Sequence, residues 1–275
     1  METTTKPDGT KIQTETKKDG TKVETTTAKD GSTSKTTTNP NGSSVTENKA
    51  ADGSTGTVKT DKSGQTTAET AFSSKAIETA KRNGEPVTAP IEVEATRNSD
   101  TAPTIKIELP RNSGDTKVEI PVTNVKPGTV AVLVHPDGTE EIIKNSVPTE
   151  DGIQLTVNGG VTVKIVDNSK DFIDTREHWS RDQVNFVAAR ELFQGVGDNQ
   201  FGVGRPMTRG MVNTVLARLA GVDTTPAVGQ NWCDKGICVS ELRYITVEAA
   251  LAGRATITLN CDSPVTRQKV TRLYK

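Results

Sequence analysis

Glycine recurs every eleven residues in the first part of the chain, at positions 9, 20, 31, 42, 53 and 64. The residue before it is Asp8, Asp19, Asp30, Asn41, Asp52 or Ser63. A chain punctuated at so short and fixed an interval has no room for long helices and must reverse repeatedly. Asp-Gly and Asn-Gly suit a type I′ hairpin turn, in which both central residues take positive φ. Between the turns lie segments such as TKIQTET (10–16) and TKVETTT (21–27), and β-branched Thr fits a pleated surface. Residues 1–70 therefore read as a polar antiparallel meander with arms of about nine residues. The repeat has no aromatic and no Leu, and its only branched aliphatics are Ile12, Val23, Val45 and Val58. Hairpins without a hydrophobic face are marginal in water. Two readings stay open, a thin β-sheet or a disordered Thr/Gly/Lys tract. Either would serve as a solvated stalk, or the sheet could be displayed to glycans or proteins.

Residues 71–84, AFSSKAIETAKRNG, predict a short helix. Ser73 or Ser74 would cap it, Ala76, Ile77 and Ala80 would form its apolar face, and Gly84 would end it. Residues 85–168 turn to strands: IEVEA, TIKIEL, KVEIPV, TVAVLV, EEIIK, IQLTV and VTVKIV. Gly- and Asn-rich turns separate them, and Pro136-Asp137-Gly138-Thr139 between two apolar runs is the clearest hairpin. Seven short strands predict a small all-β sandwich or barrel.

Composition bounds the chemistry. The formal net charge is -1, so electrostatics nominates neither nucleic acid nor an anionic membrane. No apolar run reaches the length of a membrane span. The N-terminus METTTKPDGT has no hydrophobic stretch of a signal peptide, so a surface protein with this sequence is expected to be a fragment or an incomplete frame. No phosphate loop or nucleophile elbow is found. Glu140-Glu141 and Glu150-Asp151 lie at turns and strand ends, where adjacent acids point to opposite faces and read as solvated charge. His135 beside its turn reads as solvent-facing. Cys233, Cys238 and Cys261 are an odd number with no nearby His, neither a disulfide framework nor a zinc site. No cofactor, metal or catalytic residue is expected.

Residues 169–222 differ in kind. They hold four of the five Phe and one of the two Trp. Val184, Val187, Ala188, Leu192 and Phe193 fall close to one helical face, and Met211, Val212, Val215, Leu216 and Leu219 fall on a second. Asp174 or Thr175 could cap the first helix, Thr208 the second, and Gly221 would end it. The connector GVGDNQFGVGRP reads as a surface loop. The order Phe172-x-Asp174, Trp179, Gly195, Phe201, Thr208-Arg209 resembles a surface-layer homology (SLH) repeat. The usual T-R-A-E is here Thr208-Arg209-Gly210-Met211, without its acidic residue.

That resemblance implies a bacterial surface protein held non-covalently to secondary cell-wall polysaccharide, often a pyruvylated glycan, with neighbouring S-layer proteins as further partners. It implies Asp174, Trp179, Gly195 and Arg209 as ligand-binding positions. Arg suits a carboxylate or ketal pyruvate, Trp offers an apolar plate with one donor, and Gly lets backbone approach closely. The bland alternatives are that Trp179 and Phe201 are core and that Asp174 caps a helix and pairs with Arg209. Residues 223–275 read as a degenerate or truncated second repeat, resembling the family at Asn231-Trp232 and Val265-Thr266-Arg267, or as a shifted frame. The whole is expected to be a mixed multidomain, non-catalytic protein of the bacterial surface. An adhesin module and a piece of a surface-anchored enzyme are the alternatives.

Overall fold

The structure, a computed structural model, describes residues 1–226 and 228. The expected second repeat over 223–275, with its three cysteines, lies almost wholly outside them. The chain forms two compact units that divide between Lys170 and Asp171.

In the first unit the eleven-residue repeat is a sheet. Its strands are β1 (Glu2–Thr5), β2 (Lys11–Thr16), β3 (Lys22–Thr27), β4 (Thr33–Thr38), β5 (Ser44–Lys49), β6 (Thr55–Thr60) and β7 (Thr66–Ala71). From β2 onward each strand is six residues long, shorter than the expected arms, because the turns use the rest. They are not type I′. Lys6 N–H donates to Thr10 O at 2.8 Å, and Gly9 N–H to Lys6 O at 3.0 Å. Only the glycine takes positive φ, 91° at Gly9. This is a three-residue loop, a type I turn closed by a left-handed Gly. Pro7 and Pro40 suit it, since their φ is fixed near the value that position two of a type I turn requires, and the four turns without Pro close in the same way. The Asp8 carboxylate then accepts Thr10 N–H at 2.8 Å, bracing the turn from inside.

The register explains why this sheet has no core. Every pairing from β1 to β7 joins residues of like parity, such as Lys11 with Thr27 and Lys22 with Thr38. Even-numbered side chains share one face and odd-numbered ones the other. An odd repeat length therefore sends equivalent positions to opposite faces, Ile12 to one and Val23 to the other. Neither face gathers an apolar set, and no strand residue of β1–β5 is buried.

The same sheet changes character at β6. One register row on the even face reads Thr14, Glu24, Thr36, Thr46, then Val58 and Ala68. The row continues into Ile105 of β10 (Thr104–Glu108) and Val163 of β16 (Val161–Asp167). β7 pairs with β10 in parallel, so the expected boundary near residue 70 is no break in the sheet. With β12 (Thr129–Val134) and β13 (Glu140–Ile142) the order is β1-β2-β3-β4-β5-β6-β7-β10-β16-β12-β13.

A second sheet covers the apolar part. It holds β14 (Val147–Pro148), β15 (Gly152–Asn158), β11 (Asp115–Thr123) and β8 (Val87–Thr88), with β9 (Val93–Glu94) also on β11. Ile105, Ile107 and Val163 of the large sheet share one core with Val118, Ile120 and Ile153 of the small one. The two-residue strands β8 and β14 carry no periodic signal and were not expected. The second layer reaches Asn48, whose side-chain amide donates to Pro90 O at 2.9 Å. It crosses closely over Gly56, where a Cβ would lie 2.3 Å from Pro90 O. Helix α1 (Ser74–Asn83) matches its expected caps: Ser73 accepts Ala76 N–H, Gly84 takes φ 72°, and Ala76, Ile77 and Ala80 are buried. The Pro136-Asp137-Gly138 hairpin joins β12 to β13, and half-exposed His135 has its Nε2 3.5 Å from the Glu141 carboxylate. Among the described residues no helix is long and apolar enough to cross a membrane.

Candidate functional site

The second unit is a small helix–loop–helix. Phe172, Val184 and Ala188 form its core, with Phe201 and Val203 packed against them. A 3₁₀ turn, Ile173–Thr175, precedes α2 (Arg181–Ala189), which starts after Ser180 and not at the expected caps. Thr175 instead donates its hydroxyl to Phe172 O. α2 also ends early. Glu191 takes φ 56°, and the N–H groups of Leu192 and Phe193 both turn back to Val187 O. Leu192 and Phe193 thus lie beyond the helix, although Leu192 is still buried. Arg190 is fully buried. Its guanidinium lies 3.9 Å from the Phe186 ring centre and donates to Phe186 O at 3.0 Å. Burial pulls this group down to about 10.

Helix α3 (Arg209–Leu219) opens as expected at Thr208, whose hydroxyl accepts Met211 N–H at 3.3 Å. Gly221, at φ 76°, follows its end. Arg218 ties α3 to the segment after α2: it donates to Leu192 O and Gln194 Oε1, each at 3.1 Å, and to Thr224 Oγ1 at 2.9 Å. Arg218 and Arg190 were not singled out in the sequence. Their positions inside helical runs give no sign that they are structural ties.

The four expected ligand positions fall into different roles. The Asp174 carboxylate caps no helix. It accepts three N–H groups from one loop, Phe201 at 2.8 Å, Gly202 at 2.8 Å and Val203 at 3.2 Å. The Phe201 bond foremost, then those of Gly202 and Val203, hold its pKa below the ordinary 3.8. Gly195 meets the same loop. It takes φ 82°, and a Cβ there would sit 2.6 Å from Gln200 O and 2.9 Å from the Phe172 ring. Asp174 and Gly195 together therefore pin residues 200–203 onto the core. The Phe172–Phe201 ring contact, 5.5 Å between centres, completes that arrangement.

Trp179 is the opposite case. It is 83% exposed, so it is not core. Its one aromatic contact among the described residues is with His178, 5.4 Å between ring centres. The His178 ring nitrogen lies 2.7 Å from Ser180 Oγ, which fixes the turn carrying the indole. Arg209 is the first residue of α3, where the helix N-terminus and its dipole favour an anion.

This is a two-helix module with a pinned connecting loop and one large aromatic side chain presented to solvent. Residues 171–210 match the S-layer homology domain family, so the chain is an S-layer homology domain-containing protein. That domain is in general a cell-wall anchoring module that binds cell-wall polymers, and it implies association with the cell surface or wall. Comparisons with curated proteins and with solved structures gave no match.

Proposed function

We propose that this is a non-catalytic protein of the bacterial surface, held to the wall by residues 171–222 through secondary cell-wall polysaccharide, with the β unit displayed from that anchor. The observation that carries the reading is Trp179, an indole 83% exposed on a fixed turn inside the matched segment. Leaving so large an apolar face in water brings the fold no gain, whereas it suits the apolar face of a sugar ring. Arg209 supplies the cation for an acidic or pyruvylated sugar. Asp174 and Gly195 set the loop at residues 200–203 and are positioning residues in this reading.

The test is co-sedimentation of the full chain with native wall sacculi and with sacculi stripped of their polymer. Binding is expected to native sacculi alone. Trp179→Ala and Arg209→Ala are each expected to weaken it at least tenfold, with Trp179→Ala unfolding at the wild-type midpoint. Equal binding to stripped sacculi, or wild-type binding by both variants, would overturn the reading.

A further inference from the structure

In the large sheet, seven strands lie between β1 and β16. At roughly 4.8 Å per strand, that separation is about 38 Å, measured across the strands. The chain leaves this unit just after β16, and that exit is fastened. Asn168 N–H donates to Gly128 O at 3.0 Å, and Arg97 donates to Ser169 O at 3.2 Å. The nearly buried Asp167 carboxylate accepts from Lys126 Nζ at 2.7 Å. A pull between residues 1 and 170 is therefore directed largely across the strands. Such a load opens a ladder one hydrogen bond after another, while a load along the strands strains all of them at once.

Resistance to peeling is uneven. In β1–β5 there are ladder bonds, local turns and pairs such as Thr36 and Thr46, hydroxyl to hydroxyl at 3.0 Å, with one tie to the second layer at the last strand, Asn48 to Pro90 O, but no buried strand residue. From β6 the situation reverses. Gly56, Ala68 and Thr70 are buried. Ser73, the cap of α1, donates its hydroxyl to Asp52 O at 2.8 Å, and Phe72 is sunk in the core.

We propose that β1–β5 form an extensible segment that peels under tension one eleven-residue unit at a time, while the sandwich from which they project stays folded. Each unit then lengthens the chain by about 31–35 Å, the reach of eleven extended residues less the one strand spacing already spanned. The next strand takes the load only after its neighbour has left. The device does not depend on what the second unit binds.

The experiment is single-molecule stretching of the full chain with handles at residues 1 and 170. A series of up to five like steps at low force is expected, followed by a separate event at higher force. A single rip that releases the whole unit, or a first event as large as the sandwich, would overturn the proposal. Thr36→Cys with Thr46→Cys places a disulfide between β4 and β5. Oxidised, this variant should lose one step, and reductant should restore it. Steps unchanged by oxidation would not arise from the repeats, which also overturns the proposal. Hydrogen exchange on the unaltered chain gives an independent reading: protection should climb from β1 to β7, and a flat profile would contradict peeling.

Discussion

The large sheet has two halves built from one hydrogen-bonded ladder. From β10 to β12 it is one wall of a sandwich, with Ile105, Ile107 and Val163 sealed from water. From β1 to β5 it has no buried strand residue, and the second layer touches it only at the β5 end, through Asn48. Backbone geometry is common to both, so the difference lies in where side chains are sent. In the sandwich, alternation concentrates apolar groups on one face. In the repeat, an odd period deals equivalent positions to the two faces in turn. Strand pairing alone thus specifies a sheet, and a core is a separate achievement of the pattern.

The comparison can be broken most directly by deleting side-chain bulk. Ile105→Ala is expected to cost about 2–5 kcal/mol, as buried Ile truncations do, read as a lowered urea midpoint. Ile12→Ala, on the half-covered face of β2, should cost under ~1 kcal/mol. Equal losses would mean that the repeat sheet has a hidden core. Next in size is Gly56→Ala. Its Cβ would meet the Pro90 backbone at 2.3 Å, and forcing the layers apart should cost about 1–3 kcal/mol.

Acid should act on the repeat through its turns. Hydrogen bonds to the Asp8, Asp19 and Asp30 carboxylates, first from the backbone N–H groups of Thr10, Thr21 and Ser32, hold these acids below the ordinary 3.8. The folded pKa is depressed, so the stabilisation is complete above 3.8 and is lost as pH falls through the folded values. Fraying of β1–β5 in that range, with the β10–β16 ladder intact, is the expected outcome by residue-resolved NMR. The smallest effect is expected from excising one unit, Asp19–Lys29. This turns the preceding strands over, yet the unfolding midpoint of the sandwich should not move, because neither face there is the core face. A collapse of the whole unit would show that the free sheet supports the sandwich.

Much of this was legible in residue order. The glycine period, the capped helix α1 and the hairpin at Asp137-Gly138 follow from local chemistry, and local chemistry is what a sequence displays. The turn differs from expectation because Asp and Gly are the third and fourth residues of a type I turn, not the central pair of a two-residue loop, and the turns without Pro adopt the same form as those with Pro7 and Pro40. The junction of β7 with β10 spans a helix and two short strands, and nothing local announces a parallel partner. In the second unit the end of α2 was misplaced because Glu191, a residue with no preference for positive φ, takes it. The family pattern marked Asp174 and Gly195, but the work of Asp174 on the loop depends on bonds reaching 27 to 29 residues along the chain. Trp179 could be named from the pattern, while its exposure could be learned only from the fold.

The parity of the repeat also has a meaning for heredity. Slippage during replication adds or removes whole eleven-codon blocks. In a sheet with one greasy side, every odd change in block number would turn the older strands inside out, and selection would tolerate only paired changes. Here both sides are interchangeable. The fold therefore sets no parity rule on the number of blocks in this segment, whereas a sheet with one apolar face would.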